Sequence, residues 1–269
     1  MRLTTISHTP ASVLGLAGNK SIDARYLERA VAAGVNYFFF YELSAIENLV
    51  DDLKILLGDT RQDVIVATGS ESRDLQKLKQ YLDLVRNRLD TDVIDVFFLE
   101  YVSPADDLDR VQTLLQELKT WKQRGWIRYL GISTHNRAIA LDLIADGQID
   151  VLMHRYNMAH RKAEADVFPA AIEADIPTIA FTCTRWSALL KGHPNWQQQI
   201  PTAADCYRYA LSDGAISLAL TSPQTLAELE ENLQVLNHFQ LTEAEKSLWR
   251  SYGDLIYDKG RDSFETKWL

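Results

Sequence analysis

The sequence predicts an α/β fold and, within that class, a closed (β/α)8 barrel, the TIM barrel. Short, nearly continuous apolar segments alternate with longer amphipathic segments, and eight such units follow one another. Apolar strands separated by helices indicate parallel pairing with both faces of the sheet covered. A chain of 269 residues is long enough for eight such units in one barrel. An open, doubly wound sheet is the alternative arrangement.

The predicted strands share a run of apolar residues that is too short for a helix. Val-Ile-Asp-Val-Phe-Phe-Leu over 93–99 is the longest of these runs. The eight predicted strands are 13–16, 35–40, 64–67, 93–99, 127–132, 150–153, 177–181 and 216–220.

The predicted helices share apolar residues spaced three and four apart, which is helical periodicity. They cover about 22–33, 46–57, 75–89, 111–118, 138–145, 163–173, 203–211, 226–236 and 242–255. Thr242 and Glu245 form a capping box at the start of the last of them. No linker or low-complexity tract interrupts the pattern, so we expect residues 1–269 to form a single domain with a C-terminal helix.

Composition excludes several classes of protein. Lys and Arg number 28 against 37 Asp and Glu, a net charge of -9, so we expect neither a nucleic-acid partner nor an anionic membrane partner. Two cysteines cannot build a disulfide framework or a cysteine-based zinc site. The first residues lack a secretory apolar region and no apolar run reaches about 20 residues, so we expect a cytoplasmic protein.

The barrel prediction also locates the site. Active sites of such barrels lie at the carboxyl ends of the strands, in the loops that follow them. The segments to inspect are therefore 39–47, 68–71, 100–104, 133–136, 154–157, 181–186 and 221–225.

Five segments carry a resemblance to one known family, and they occur in the family's order. They are GVNYF over 34–38, RLDTDVIDV over 88–96, GWIRYLGIS over 125–133, YNMAHRKAE over 156–164 and LEEN over 229–232. Together they resemble the aldo/keto reductases, across nearly the whole chain. The resemblance implies a (β/α)8 barrel that uses a nicotinamide cofactor, NADPH or NADH, to reduce carbonyl compounds.

The resemblance also implies a catalytic Asp, Tyr, Lys and His, and this sequence departs from all four. Phe39 stands at the Asp position and Ser44 at the Tyr position, while Glu47 still matches the acid that follows. Gly69 stands at the Lys position and Glu100 at the His position. Proton donation by a tyrosine beside a lysine is therefore not expected, and Phe39, Phe40 and Tyr41 are expected to place apolar bulk at the barrel mouth.

Glu100 and Tyr41 are the candidate catalytic residues. A branch of the family that reduces activated carbon–carbon double bonds also has Glu at the position of Glu100, which suggests an acid or a substrate anchor. Desolvation beside phenylalanines should raise the pKa of Glu100; a solvated or Arg-paired carboxylate is the alternative. Tyr41 is a substitute proton donor or, as we prefer, a packing residue whose pKa stays near 10.

The resemblance assigns six candidate cofactor-binding residues: Ser133, Thr134, Phe181, Ser222, Glu231 and Asn232. Phe181 would stack on the nicotinamide or belong to the core, and Glu231 and Asn232 equally suit a solvated helix face. Met153 replaces the family's Gln, and the stretch 221–228 contains no Lys or Arg for a 2′-phosphate.

Two hypotheses remain open from the sequence. The first is an aldo/keto-reductase-like oxidoreductase with Glu100 as acid or anchor. The second is a repurposed or inactive barrel, a pseudoenzyme that binds a protein or a small molecule. His135 is expected to be a loop residue rather than a base, and His154 and His160 lack a third ligand, so no metal site is predicted.

Overall fold

Eight parallel strands close into a barrel in the computed structural model, which describes residues 2–257. The strands follow chain order around the barrel, and β8 pairs with β1, so the closed barrel is confirmed and the open sheet is wrong. The strands are β1 (Leu14–Ala17), β2 (Tyr37–Phe40), β3 (Ile65–Ser70), β4 (Ile94–Leu99), β5 (Ile127–Thr134), β6 (Val151–Arg155), β7 (Thr178–Phe181) and β8 (Ile216–Thr221).

Helices connect the strands, α8 follows the last strand, and a further helix, α9, follows α8. They are α1 (Ala24–Ala32), α2 (Val50–Thr60), α3 (Leu75–Leu89), α4 (Leu108–Gln123), α5 (Arg137–Ala145), α6 (Val167–Glu173), α7 (Ala203–Leu211), α8 (Leu226–Leu233) and α9 (Glu243–Tyr257). The predicted capping box is confirmed at α9, since Glu245 N–H donates to Thr242 Oγ1 and Thr242 N–H donates to Glu245 Oε2. No helix among residues 2–257 is long and apolar enough to span a bilayer.

Two predicted helices are shorter than the periodicity suggests. For the predicted helix 46–57, a 3-10 turn over Leu43–Ile46 comes first, and α2 starts only at Val50. The segment 163–173 is divided at Asp166, whose side chain caps α6. Pro169 lies in the first turn of α6, where its missing N–H costs nothing, but its ring would clash with a helical turn that continued upstream.

The strands alternate between an interior layer and an outer layer that packs against the helices. Tyr37 and Phe39 face the barrel interior, whereas Phe38 and Phe40 pack in the outer core. The expectation that Phe40 adds bulk to the mouth is therefore wrong, because successive side chains of a strand point to opposite faces. Phe39 and Tyr41 do contribute to the interior layer.

The 182–202 segment packs against α9. Tyr252 donates its hydroxyl to Leu189 O at 2.8 Å, and the Trp196 ring lies 5.1 Å from the Tyr252 ring. Arg185 donates to the carbonyl of Ile256. These contacts connect the long β7–α7 loop to the last described helix, with Trp186 exposed at its surface.

Candidate active site

Aromatic rings fill the carboxyl end of the barrel. The Phe39 and Tyr41 rings meet edge to face at 4.8 Å, and Tyr41 stacks on Tyr101 at 5.9 Å. The Phe181 ring lies 6.4 Å from Tyr101 and 5.0 Å from His135. We call these five residues, Phe39, Tyr41, Tyr101, His135 and Phe181, the aromatic cluster. It makes the barrel mouth an environment of low dielectric.

Glu100 lies directly after β4, beside this cluster, and is almost fully buried at 2% exposure. Its Oε1 atom has no hydrogen-bond partner among residues 2–257. A Cβ built at Gly69 would be 2.7 Å from that oxygen and 2.5 Å from Phe98 O. The carboxyl therefore occupies the space above β3 that a side chain at position 69 would need, so Gly69 and Glu100 are sterically matched.

Burial raises the pKa of Glu100 well above its usual value, and the neighbouring carboxylates of Glu71 and Glu42 raise it further. Arg73 opposes this increase only weakly. The Arg73 guanidinium forms an ion pair with Asp106 at 2.8 Å and donates to the backbone carbonyl of Glu100. The increase predicted from desolvation is confirmed, and the alternative of an Arg-paired or solvated carboxylate is wrong. Burial therefore favours the protonated form of the Glu100 carboxyl.

Tyr41 and Tyr101 form a hydroxyl pair next to Glu100. Tyr101 donates to Tyr41 Oη at 3.2 Å, and Tyr81 donates to the Tyr41 carbonyl at 3.3 Å. Burial raises the pKa of Tyr41 well above 10, so the expectation that it stays near 10 is wrong. The absence of a neighbouring lysine removes only one cause of a pKa shift, whereas desolvation is the largest cause at Tyr41. Because its pKa is raised, Tyr41 is a poor proton donor at this position.

Sequence reasoning missed Tyr101. Strand alternation predicts that neighbours 100 and 101 face opposite sides. The backbone of Tyr101 adopts φ 50°, a left-handed conformation that ends the strand and brings both side chains to the mouth. No residue signal in the sequence marks this turn. Ser44, at the family's Tyr position, lies exposed on the 3-10 turn and donates to Glu42.

Ser133 and Thr134, the candidate nicotinamide contacts at the end of β5, differ in the hydrogen bonds that their hydroxyls already form. Ser133 Oγ accepts from the Tyr101 N–H at 2.8 Å, and its own hydroxyl proton has no acceptor within residues 2–257. Thr134 donates to Val102 O at 2.6 Å and accepts from Asn136 N–H at 3.0 Å. Ser133 therefore retains a donor at the barrel mouth, while the Thr134 hydroxyl holds the loop after β4.

His135 lies in the mouth rather than only in a surface loop. Burial lowers its pKa to about 3, and the positive charge of Arg155 contributes to that decrease. A histidine with this pKa is neutral at physiological pH and is a weak base. The expectation that His135 is not a catalytic base is consistent with this value.

The candidate residues near the adenine end of a nucleotide separate into exposed and buried groups. Glu231 is exposed on α8. Asn232 is 2% exposed and donates to Thr221 Oγ1 at 3.0 Å, while its Oδ1 has no partner in the described part of the chain. The alternative of a solvated helix face is therefore wrong for Asn232. Its orphaned Oδ1 can accept a hydrogen bond from a bound amino group.

The loop after β8 is connected to the loop after β1. Asn19 donates to Ser222 Oγ at 2.6 Å, and Ser21 donates to Gln224 Oε1 at 2.9 Å. Glu228 accepts from the Gln224 N–H at 2.7 Å. Ser222 is exposed here, so its hydroxyl is accessible. Residues 221–228, in the loop after β8 and the start of α8, offer hydroxyl, amide and carboxylate groups but no Lys or Arg.

The mouth residues offer polar groups that fit the two ends of a nicotinamide dinucleotide. Ser133 provides an uncommitted donor, and Asn232 provides an uncommitted acceptor. A 2′-phosphate needs charge-assisted contacts, and the β8 loop supplies a carboxylate at Glu228 instead.

We expect Gly69→Ala to destabilise the protein by about 1–3 kcal/mol, because the new methyl group overpacks against Phe98 O and the Glu100 carboxyl. The matched control is Gly58→Ala in α2, where a Cβ meets nothing within 4 Å. That change should stabilise the helix by about 0.5–1 kcal/mol. Urea unfolding of both variants measures the difference, and equal effects would contradict the steric matching of Gly69 and Glu100.

We expect the buried Glu100 carboxyl to lower the free energy of unfolding of the protein as pH rises. Its pKa is raised in the folded protein and ordinary in the unfolded chain, so the folded state binds more protons between the two pKa values. We expect the free energy of unfolding of Glu100→Gln, relative to wild type, to increase from about pH 5 to about pH 8. Glu173→Gln, at an exposed carboxyl on α6, should give a flat difference over that range. A flat difference for Glu100→Gln would refute its burial as a neutral acid.

Known proteins resemble this chain at the level of both sequence and fold. The family model described as "Aldo/keto reductase family" matches residues 17–195. The uncharacterized oxidoreductase YqkF of Bacillus subtilis is 24% identical over 89% of each chain.

Two solved structures share the fold. The aldo-keto reductase AKR11C1 of Bacillus halodurans, in its holo form, has a TM-score of 0.77 at 19% identity, covering 97% of this chain and 99% of that one. An aldo/keto reductase of Klebsiella pneumoniae, solved with NADP and acetate, has a TM-score of 0.77 at 15% identity, covering 94% of this chain and 96% of that one. The family model spans well over half of the sequence, and the barrel agrees with it: the chain belongs to the aldo/keto reductase family.

Proposed function

We propose that the protein is an oxidoreductase that uses NADH to reduce a carbonyl or an activated carbon–carbon double bond, with Glu100 as the proton donor. The observation that carries the proposal is the buried carboxyl at the mouth of the barrel, whose pKa burial raises and whose Oε1 has no partner among residues 2–257. A neutral acid at this position can donate a hydrogen bond to a substrate oxygen and then transfer the proton.

The reaction balances with one hydride and one proton. When bound, a nicotinamide would supply the hydride to the substrate carbon, as the family membership supports. Glu100 donates its proton to the oxygen of a carbonyl, or to the α-carbon of an enone, and is left as a carboxylate. Because burial and Glu71 favour the neutral form of Glu100, the carboxylate regains a proton from solvent readily. The aromatic cluster excludes water from the mouth during the transfer.

NADH suits the site better than NADPH. Membership in the family and the Klebsiella relative solved with NADP support a nicotinamide dinucleotide. Ser133, Phe181 and Asn232 are the residues that would bind its two ends. Ser222 and Glu231 remain candidates at the exposed edge, while the Thr134 hydroxyl is already bonded twice. The absence of Lys and Arg from 221–228 argues against a 2′-phosphate.

Replacing Glu100 with Gln removes the transferable proton and retains the shape. We expect kcat with NADH and an aldehyde or enone panel to fall about 100-fold or more, with NADH affinity unchanged, because general acids contribute about 10²–10⁴-fold. Steady-state kinetics of Glu100→Gln and of the surface control Glu173→Gln measure the effect. If Glu100→Gln turns over at the wild-type rate, Glu100 is not the acid.

Cofactor binding is tested separately from turnover. By isothermal titration we expect NADH to bind about tenfold more tightly than NADPH, because residues 221–228 contain no Lys or Arg for the 2′-phosphate. Phe181→Leu should weaken NADH binding about three- to tenfold through loss of ring stacking. Phe239→Leu, at a half-buried site in the outer core, is the matched control and should have little effect. Preference for NADPH would contradict this assignment.

A second candidate function is a barrel that binds a ligand or partner without redox chemistry. The packing of Phe181 against both Tyr101 and His135 favours it, because the ring already fills space beside the mouth. The hypothesis of a pseudoenzyme also agrees with the loss of the family's Asp, Tyr, Lys and His residues. Absence of binding by NADH and NADPH at millimolar concentration would favour this second function over the first.

A further inference from the structure

Three glutamates follow three neighbouring strands at the barrel mouth. Glu42 comes two residues after β2, Glu71 directly after β3 and Glu100 directly after β4. The register that pairs Ser70 with Leu99 continues beyond the two strands, since the Glu100 N–H donates to Ser70 O at 3.0 Å. Glu71 and Glu100 therefore lie side by side where β3 and β4 end.

Glu42 and Glu71 flank the buried Glu100 carboxyl and are themselves exposed. Both raise the pKa of Glu100, so both lie within electrostatic range of it. The Ser44 hydroxyl donates to Glu42 Oε2 at 3.0 Å, a contact that leaves the negative charge of Glu42 in place. We call Glu42 and Glu71 the flanking carboxylates.

Within residues 2–257, neither flanking carboxylate forms an ion pair. Arg73 is the cation that acts on Glu100, and its guanidinium is held elsewhere. It forms an ion pair with Asp106 at 2.8 Å and donates to the backbone carbonyls of Glu71 and Glu100 at 3.0 Å and 2.8 Å. In the described part of the chain, the β2–β4 side of the mouth therefore carries a net negative charge.

The buried oxygen of Glu100 is an independent sign that a ligand binds here. Oε1 has no partner among residues 2–257, and it lies 2.7 Å from the position that a Cβ at Gly69 would take. The oxygen is therefore directed towards the end of β3, where Glu71 follows. A buried polar atom without a partner is costly, so a ligand group that forms a hydrogen bond with Oε1 would remove that cost.

The charge and the spacing of these groups favour an organic cation as the occupant. Among residues 2–257, no three acidic, histidine or cysteine side chains are grouped closely enough to hold a metal ion. Two exposed carboxylates on either side of a buried acid instead suit a ligand with its positive charge at one end and its hydrogen-bonding group at the other, because complementary charge guides binding and fixes orientation.

We propose that the flanking carboxylates bind an ammonium group of the substrate, while Glu100 contacts the carbonyl or enone that reacts. This inference rests on the proposed function, since it names the substrate class of the same site. The ammonium group takes no part in the bond changes: it positions the substrate and selects cationic compounds over neutral ones of the same shape.

Binding of the cation is tested without cofactor or turnover. Choline and 3,3-dimethylbutan-1-ol have the same shape and differ in charge, so isothermal titration of the full chain with each of them isolates the effect of the charge. We expect choline to bind about fivefold or more tightly than the alcohol at low ionic strength, and added salt to reduce this difference.

Variants assign the charge effect to the flanking carboxylates. Glu42→Gln and Glu71→Gln should each weaken choline binding about two- to fivefold, the contribution of a solvent-exposed ion pair, and leave binding of the alcohol unchanged. Glu71→Lys should weaken choline binding further. Glu173→Gln, at an exposed carboxyl on α6, is the matched control and should bind both compounds as wild type does.

Turnover with NADH tests the substrate class. 4-(Trimethylammonio)benzaldehyde and 4-tert-butylbenzaldehyde differ in charge at the same shape, and comparing variants cancels their different intrinsic reactivity. We expect the ratio of their kcat/KM values to fall about five- to 20-fold, mainly through KM, when both flanking carboxylates are replaced by Gln.

The two experiments separate the two proposals. Choline binding that depends on the flanking carboxylates, without reduction of either aldehyde, would support the ammonium site and refute the oxidoreductase. Equal affinity of the wild-type protein for choline and the alcohol would overturn the ammonium site, as would a kcat/KM ratio that the double variant leaves unchanged. Reduction of the neutral aldehyde would leave the assignment of Glu100 intact in either case.

Discussion

The exclusion of the Glu100 carboxyl from water is the interaction on which the barrel mouth depends. The carboxyl lies over a strand that has no side chain at Gly69, and it lies beside the aromatic cluster, with no lysine at position 69. Desolvation then selects the neutral acid. Three of the four departures from the family's catalytic residues are therefore coupled: the absence of a side chain at position 69 leaves the space that the carboxyl at position 100 occupies, and Phe39 provides an apolar wall near it.

Charge around the mouth is unevenly distributed. Glu42 and Glu71 act on Glu100 at the β2–β4 side, whereas Arg155 and the imidazoles lie at the β5–β6 side. Burial raises the pKa of Glu100 and lowers the pKa of the histidines, since burial penalises whichever form is charged.

Much of this arrangement was predictable from local pattern. Strand and helix order follow from apolar periodicity, and α3 and α7 begin and end where the periodicity places them. The site's location follows from the barrel, and the raised pKa of Glu100 follows from its phenylalanine neighbours. Tyr101 was not predictable, because a left-handed backbone at a non-glycine residue has no sequence signature. Neither was the ion pair of Arg73 with Asp106, since the two residues lie in different loops.

The sequence by itself determined the closed barrel, the family and the identity of the residue that replaces each catalytic group. These properties depend on residue type and order, and the alternation of strands and helices expresses them directly. Only the tertiary structure decided which groups lack partners and which bear shifted pKa values. Those properties depend on the distance and solvent exposure of atoms far apart in the chain: Oε1 of Glu100 is buried and without a partner among residues 2–257 because neighbouring strands and loops close over it.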